Sequence, residues 1–265
     1  MLPRRPRSGR RRGRCRYDLP MTFRLCTVVL LLVSAACRSA APLPAPAAVP
    51  APPAATMPDS IRWVRDAAEY RAATLQAYRM ATSAVESAAA GRQAGAWAVV
   101  LDADETVINN VTYQLERARQ GLPYSSESWA AWVRRREATP IPGAAAFLAR
   151  VRTLGGRIAI VTNRLQSECA DTAAVFERHQ LAHDALLCRP DTGPGDKNPR
   201  FDAVASGRTP ASAMPVEILA FVGDNILAFP RLSQQAALAG EAALAPFGVR
   251  YFLLPNPMYG SWQPR

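Results

Sequence analysis

Ala96-Trp97-Ala98-Val99-Val100-Leu101 runs directly into Asp102-Ala103-Asp104-Glu105-Thr106. The apolar run has the length and the valine content of a strand buried on both faces. Residues i and i+2 of an extended chain point to the same side, so Asp102 and Asp104 present two carboxylates together where the strand ends. Charges set against an apolar strand are costly unless a cation or a ligand uses them. A solvated acidic turn is the plain alternative for this segment taken alone.

Working outward, further strands are expected at Arg157–Val161, Ala185–Leu187, Ile218–Val222 and Arg250–Leu254, with helices at 126–137, 143–154, 166–179, 199–206 and 226–239. Short strands alternating with helices predict an α/β fold: a Rossmann-like, mostly parallel sheet flanked by helices, with its site at the carboxyl ends of the strands. Upstream, Ser60 is placed to cap an N-terminal helix running to about Ala90, with Ile61, Val64, Tyr70, Tyr78 and Val85 on its apolar stripe. Segment 105–140 interrupts the alternation with Tyr113, Tyr124, Trp129 and Trp132 and reads as a small α-helical cap insertion over the site. A chain of 265 residues has room for one such domain, expected over 58–265.

The net charge of +11 suggests nucleic acid, but residues 1–20 hold eight Arg and one Asp, which leaves about +4 for the remainder. No aromatic residues interleave with those arginines as in a nucleic-acid arm, and Met21 follows directly, so no nucleic-acid polymer is expected as partner. From Met21 a short apolar run, Leu25 to Val33, leads to Ser34-Ala35-Ala36-Cys37, the layout of a signal peptide. Residues 1–37 therefore read as a basic extension and leader. Residues 38–57, rich in Ala and Pro, cannot build a core and read as an extended tether. Beyond the leader and Cys37 the only cysteines are Cys169 and Cys188, which either pair in an oxidising compartment or stay as buried thiols.

Three more strand ends carry polar groups: Val161 leads into Thr162-Asn163-Arg164, Lys197 follows the third strand, and Val222 leads into Gly223-Asp224-Asn225. Other catalytic patterns fail. The chain has no Gly-x-x-x-x-Gly-Lys phosphate loop and no Cys-x5-Arg, and its two histidines, His179 and His183, are too few for a zinc centre.

The ordered set Asp102-Ala103-Asp104-Glu105-Thr106-Val107-Ile108-Asn109-Asn110, Val161-Thr162-Asn163-Arg164, Val222-Gly223-Asp224-Asn225 and Leu254-Pro255-Asn256-Pro257-Met258-Tyr259-Gly260-Ser261-Trp262 resembles a haloacid-dehalogenase (HAD) superfamily phosphatase. More narrowly it is similar to the class C acid phosphatases that include the lipoprotein e family. Cys37 after small residues resembles a bacterial lipobox, which implies a lipid anchor and an exported outer-membrane or periplasmic location.

The resemblance implies a small phosphomonoester substrate, with Asp102 as nucleophile forming an acyl phosphate and Asp104 as acid and base. It implies Mg2+ held by Asp102, the Asp104 carbonyl and Asp224, with Thr162 on the phosphoryl oxygens and Lys197 offsetting charge. Arg200 or Arg164 is the substitute if Lys197 is only a solvated loop residue. Asn163 and Arg164 are expected to contact substrate, and the rings of Tyr113, Trp129 and Tyr259 either to pack the cap or to stack on the base of a 5′-nucleotide. The acidic residue expected shortly after Gly-Asp-Asn is missing, with Leu227 and Ala228 in its place. A lapsed enzyme that only binds phosphorylated ligands, and a phosphotransferase on the same scaffold, are the alternatives.

Overall fold

A computed structural model describes residues 57–263. The leader, Cys37 and the tether up to residue 56 lie outside the described residues.

β1 (Trp97–Leu101) is the middle of a five-stranded sheet ordered β5-β4-β1-β6-β7, the others being β4 (Arg157–Leu165), β5 (Ala185–Arg189), β6 (Glu217–Gly223) and β7 (Tyr251–Leu253). Every pairing is parallel. Because side chains alternate along a strand, β1 sends Val99 and Leu101 into one core and Ala98 and Val100 into the other. The first core receives Tyr78, Ala81 and Val85 of α2 (Ala68–Ala89) and Phe147 and Leu148 of α5 (Ala144–Thr153). The second receives Phe201 and Val204 of α7 (Asn198–Ala205). Such two-sided burial is why the strands read as unbroken apolar runs, and it leaves only their carboxyl ends for polar groups.

The cap is the segment between β1 and α5. It consists of α3 (Val111–Arg119), α4 (Ser126–Arg135) and a two-stranded antiparallel ribbon of β2 (Ile108–Asn109) with β3 (Thr139–Pro140). Ser125 caps α4, its hydroxyl accepting the amide of Ser128 at 3.1 Å. α3 is a helix that the sequence pattern did not disclose.

Several expectations change. The N-terminal helix is two helices, α1 (Asp59–Asp66) and α2, broken where Ala67 adopts φ −77° and ψ 134°. Pro58, not Ser60, occupies the N-cap. Packing outweighs the helical propensity of the alanines: the break lets Ile61 and Val64 reach the core and sets Trp63 edge-on to Tyr70 at 5.5 Å. The helix expected at 226–239 is replaced by 3-10 turns at Ile226–Ala228 and Gln234–Leu238. The side chain of Asn225 captures the amide of Leu227 at 3.0 Å, Pro230 has no amide to donate, and Arg231 takes a φ of 57°, so no α-helix can propagate. β4 continues to Leu165 instead of stopping at Val161, with an irregular register between those residues, so Thr162, Asn163 and Arg164 ride on the strand itself.

α6 (Cys169–Arg178) follows β4 after a 3-10 turn, and Cys169 at its start is disulfide-bonded to Cys188 in β5, with a Cα–Cα distance of 6.0 Å. The bridge closes a loop with a sequence separation of 19. A loop of that size corresponds to about 3 kcal/mol of chain entropy removed from the unfolded state. Replacing both cysteines by alanine is expected to lower the unfolding free energy by about that amount in urea titration, whereas an unchanged midpoint would show that the bridge contributes nothing.

Candidate active site

The amide of Asp102 donates to Val222 O at 3.0 Å, continuing the β1–β6 ladder by one residue before the chain turns. Ala103 O then accepts the amides of Val107 and Ile108 at 2.8 and 2.9 Å, and Glu105 takes the left-handed φ of 51° that this reversal requires. The turn leaves the backbone carbonyl of Asp104 accepting no hydrogen bond among the described residues. The hydroxyl of Tyr78 on α2 ties down the turn by donating to Thr106 O at 2.7 Å.

Lys197, at the N-cap of α7, places Nζ 2.5 Å from Asp102 Oδ2, and both side chains are nearly buried. Asp102 Oδ1 accepts the amide of Ala103 at 2.7 Å. Of the three cations considered, Lys197 is the one set directly against Asp102. Arg200 instead braces the loop, its guanidinium donating to Thr162 O and, at 2.6 Å, to Asn163 Oδ1. Arg164 is occupied elsewhere, its Nη2 lying 2.8 Å from Asp104 Oδ1.

From β6, Asp224 comes beside Asp102, and its carboxyl is pushed well above the ordinary range, first by burial and then by the neighbouring Asp102 charge. Asn256 Nδ2 donates to Asp224 Oδ2 at 2.8 Å. No cluster of three or more acidic, His or Cys side chains is gathered to hold a metal among the described residues. Two adjacent carboxylates and a carbonyl without a partner are nevertheless an all-oxygen donor set. That set fits a hard divalent cation, which would offset two buried like charges.

These groups lie at the foot of a cavity of about 680 Å3 whose walls include Tyr124, Trp129, Asn163, Leu227, Ala228 and Tyr259. A larger groove, about 830 Å3, runs between α2 and β7; it is mostly apolar and holds only Asp224 of the candidate set. The smaller cavity is the site, because the titratable groups converge there.

Not every predicted residue reaches it. Tyr113 is 2 % exposed and sits behind Trp129, edge-on at 5.2 Å, with its hydroxyl on Ser128 Oγ. Packing of the cap is thus the reading of Tyr113 that holds. Thr162 is fully buried; its hydroxyl oxygen accepts the amide of Arg164 at 3.2 Å, leaving the O–H free to donate. Ala228 borders the cavity but is buried with the apolar residues beneath it, while Leu227 is half-exposed on the rim.

The model of the HAD superfamily, subfamily IIIB (acid phosphatase) matches residues 25–262. The chain belongs to this acid phosphatase family. It is a phosphomonoesterase. Among solved structures, the class C acid phosphatase from Bacillus anthracis is similar at 27 % identity and a TM-score of 0.67, over 77 % of this chain and 85 % of that one. The same Bacillus anthracis enzyme with tungstate bound is similar at 26 % identity and a TM-score of 0.68, over the same shares of the two chains.

Sequence reasoning missed three parts of the phosphatase's site. Tyr124, 60 % exposed on the cavity wall, was visible only as one of several cap aromatics. Asn110 and Trp132 form a buried polar link, Trp132 Nε1 donating to Asn110 Oδ1 at 2.8 Å, and a Trp–Asn contact across 22 residues has no sequence signature. Glu105 is buried and accepts Asn110 N at 3.0 Å, Asn110 Nδ2 at 3.2 Å and Tyr259 O–H at 2.8 Å. Its position beside two aspartates was legible, but its burial was not.

Burial, followed by the charge of Asp104, raises the Glu105 carboxyl from an ordinary 4.5 to about 7. The folded protein therefore holds this proton more tightly than the unfolded chain does. The associated stability is present below pH 4.5 and is lost as the pH rises through about 7. In the presence of a chelator, wild type is expected to lose stability relative to Glu105→Gln across that window, measured by denaturant unfolding at both ends. A difference that stays constant with pH would contradict this assignment.

Proposed function

We propose that this phosphatase is an exported, magnesium-dependent enzyme that hydrolyses phosphate monoesters, 5′-nucleotides among them, through a phosphoryl group carried on Asp102. The observation that carries the reading is the meeting of Lys197 and Asp102 at 2.5 Å beside Asp224, at the ends of adjacent parallel strands.

A carboxylate is a competent nucleophile toward phosphorus only if its charge and that of the phosphoryl group are both offset. Lys197 supplies one positive charge at Asp102 Oδ2. A divalent cation such as Mg2+ held by Asp102, Asp224 and the carbonyl of Asp104 would supply further charge neutralisation and align the phosphoryl oxygens. Asp102 forms the new O–P bond while Asp104 protonates the departing alcohol oxygen. In the second step Asp104 takes a proton from water, which attacks phosphorus and returns Asp102 to its carboxylate. The O–H of Thr162 and the side-chain amide N–H of Asn163, from adjacent positions on β4, are the donors this reading gives to the phosphoryl oxygens. The Bacillus anthracis relative binds tungstate, a tetrahedral oxyanion, which supports a phosphate-like ligand for this fold.

The cavity is within the size range of small-molecule sites, and Trp129, Tyr124 and Tyr259 line it. Those faces favour a substrate with a planar base. Export is supported by the leader pattern and by the Cys169–Cys188 bridge, which belongs in an oxidising compartment. Attachment of lipid to Cys37 and residence at the outer membrane belong to the same proposal.

Phosphate release from p-nitrophenyl phosphate and from a panel of 5′-nucleotides tests the reading. Asp102→Asn is expected to lower kcat by at least about 10³-fold. Chelation is expected to abolish turnover, with Mg2+ restoring it. Turnover by Asp102→Asn within about tenfold of wild type would remove Asp102 as the nucleophile.

A further inference from the structure

Arg164, expected to contact substrate, stands two residues beyond Thr162 at the edge of the cavity, yet its side chain is only 1 % exposed and its hydrogen bonds go to protein groups. Nε donates to Asp104 Oδ1 and Oδ2 at 3.0 and 3.2 Å, and Nη2 donates to Asp104 Oδ1 at 2.8 Å. Nη2 also reaches Asn110 Oδ1 at 3.1 Å, and Nη1 reaches Thr172 Oγ1 on α6 at 3.2 Å. Four of the five guanidinium N–H groups are thereby spent within the protein. Arg164 still borders the cavity, but its hydrogen-bonding capacity is largely committed to the protein.

We propose that Arg164 is a positioning residue, which with Asn110 and Trp132 fixes the rotation of the Asp104 carboxylate so that Oδ2 faces the leaving-group oxygen. The proposal rests on the reading of Asp104 as acid and base. Oδ1 accepts from Arg164 Nη2, Arg164 Nε and Asn110 Nδ2, the last at 2.8 Å. Oδ2 receives only the longer contact from Arg164 Nε. Oδ1 is therefore saturated with donors, and Oδ2 is the oxygen that carries the transferable proton.

The frame is anchored on several sides. Trp132 Nε1 holds Asn110 from α4, Thr172 holds Arg164 from α6, and the ring of Trp129 lies 5.3 Å from the guanidinium carbon. A planar fork grips a carboxylate in one orientation, which an ammonium cannot do. In the step this serves, the O–H bond at Asp104 Oδ2 breaks and its proton joins the leaving oxygen. That oxygen takes the electron pair of the breaking P–O bond, while an Asp102 oxygen bonds to phosphorus.

Protonation matters in proportion to the basicity of the leaving group. A p-nitrophenolate departs with little help, whereas an alkoxide hardly departs without a proton. The test is kcat/KM, which reports phosphoryl transfer to the enzyme, for p-nitrophenyl phosphate, phenyl phosphate and glycerol 2-phosphate. It is measured for wild type, Asp104→Asn, Arg164→Lys and Trp132→Phe, with thermal unfolding as the check on folding.

Arg164→Lys is expected to lose about 10²-fold on the alkyl ester and less than about tenfold on p-nitrophenyl phosphate. Trp132→Phe, which removes one hydrogen bond and keeps the ring, is expected to show the same bias at smaller size and serves if Arg164→Lys does not fold. Equal losses on all three esters, or none, in the folded variants would overturn the positioning role. A leaving-group bias in Asp104→Asn without one in Arg164→Lys defeats this inference alone. Absence of the bias in Asp104→Asn defeats the reading of Asp104 as the acid, and this inference with it.

Discussion

Asp102, Asp104, Glu105 and Asp224 crowd the end of β1, where the sheet leaves little water to screen them. Burial of like charges is tolerated only when each is paired, hydrogen-bonded or neutralised, and the polar groups gathered at this strand end serve that purpose. Lys197 arrives from α7 for Asp102, Arg164 from β4 for Asp104, Asn256 from the segment after β7 for Asp224, and Asn110 and Tyr259 for Glu105. The parallel sheet is what makes this possible, because it brings the ends of β4, β1 and β6 side by side. Elements far apart in sequence are thus bound to one another through the same few carboxylates, so the site and the stability of the fold share one set of interactions.

The sequence disclosed those features that depend on period and order. Five apolar runs became five parallel strands because burial on both faces removes any need for polar residues within them. Asp102, Lys197 and Asp224 were legible because each follows a strand directly or sits in the loop after one. The failures have physical causes of their own. The turns at 226–238 depend on Asn225 competing for a backbone amide and on Pro230, local chemistry that outweighs an apolar pattern. The break at Ala67 depends on tertiary packing of Ile61 and Val64, which propensity does not register. The partners of Arg164 were not legible because a strand position fixes where a side chain starts and not which groups capture it.

The cap has two roles that its aromatic content alone does not separate. Tyr113 and Trp132 are interior, the first against Trp129 and the second on Asn110, whereas Trp129 and Tyr124 face the cavity. One layer of rings supports the polar frame, and the other is available to substrate. The Cys169–Cys188 bridge lies on the same path, holding the start of α6, whose Thr172 meets Arg164. The covalent tie and the hydrogen-bond frame therefore meet on α6 beside the same strand end.

Covalent capture at Asp102 tests the central claim most directly. The enzyme is mixed with a phosphomonoester carrying a labelled phosphoryl group, quenched in acid during turnover, digested and mapped by mass spectrometry. Label on the peptide containing Asp102, and its disappearance when more time is allowed before the quench, is the expected result. Turnover with no labelled peptide at any quench time, or label on another residue, would contradict it.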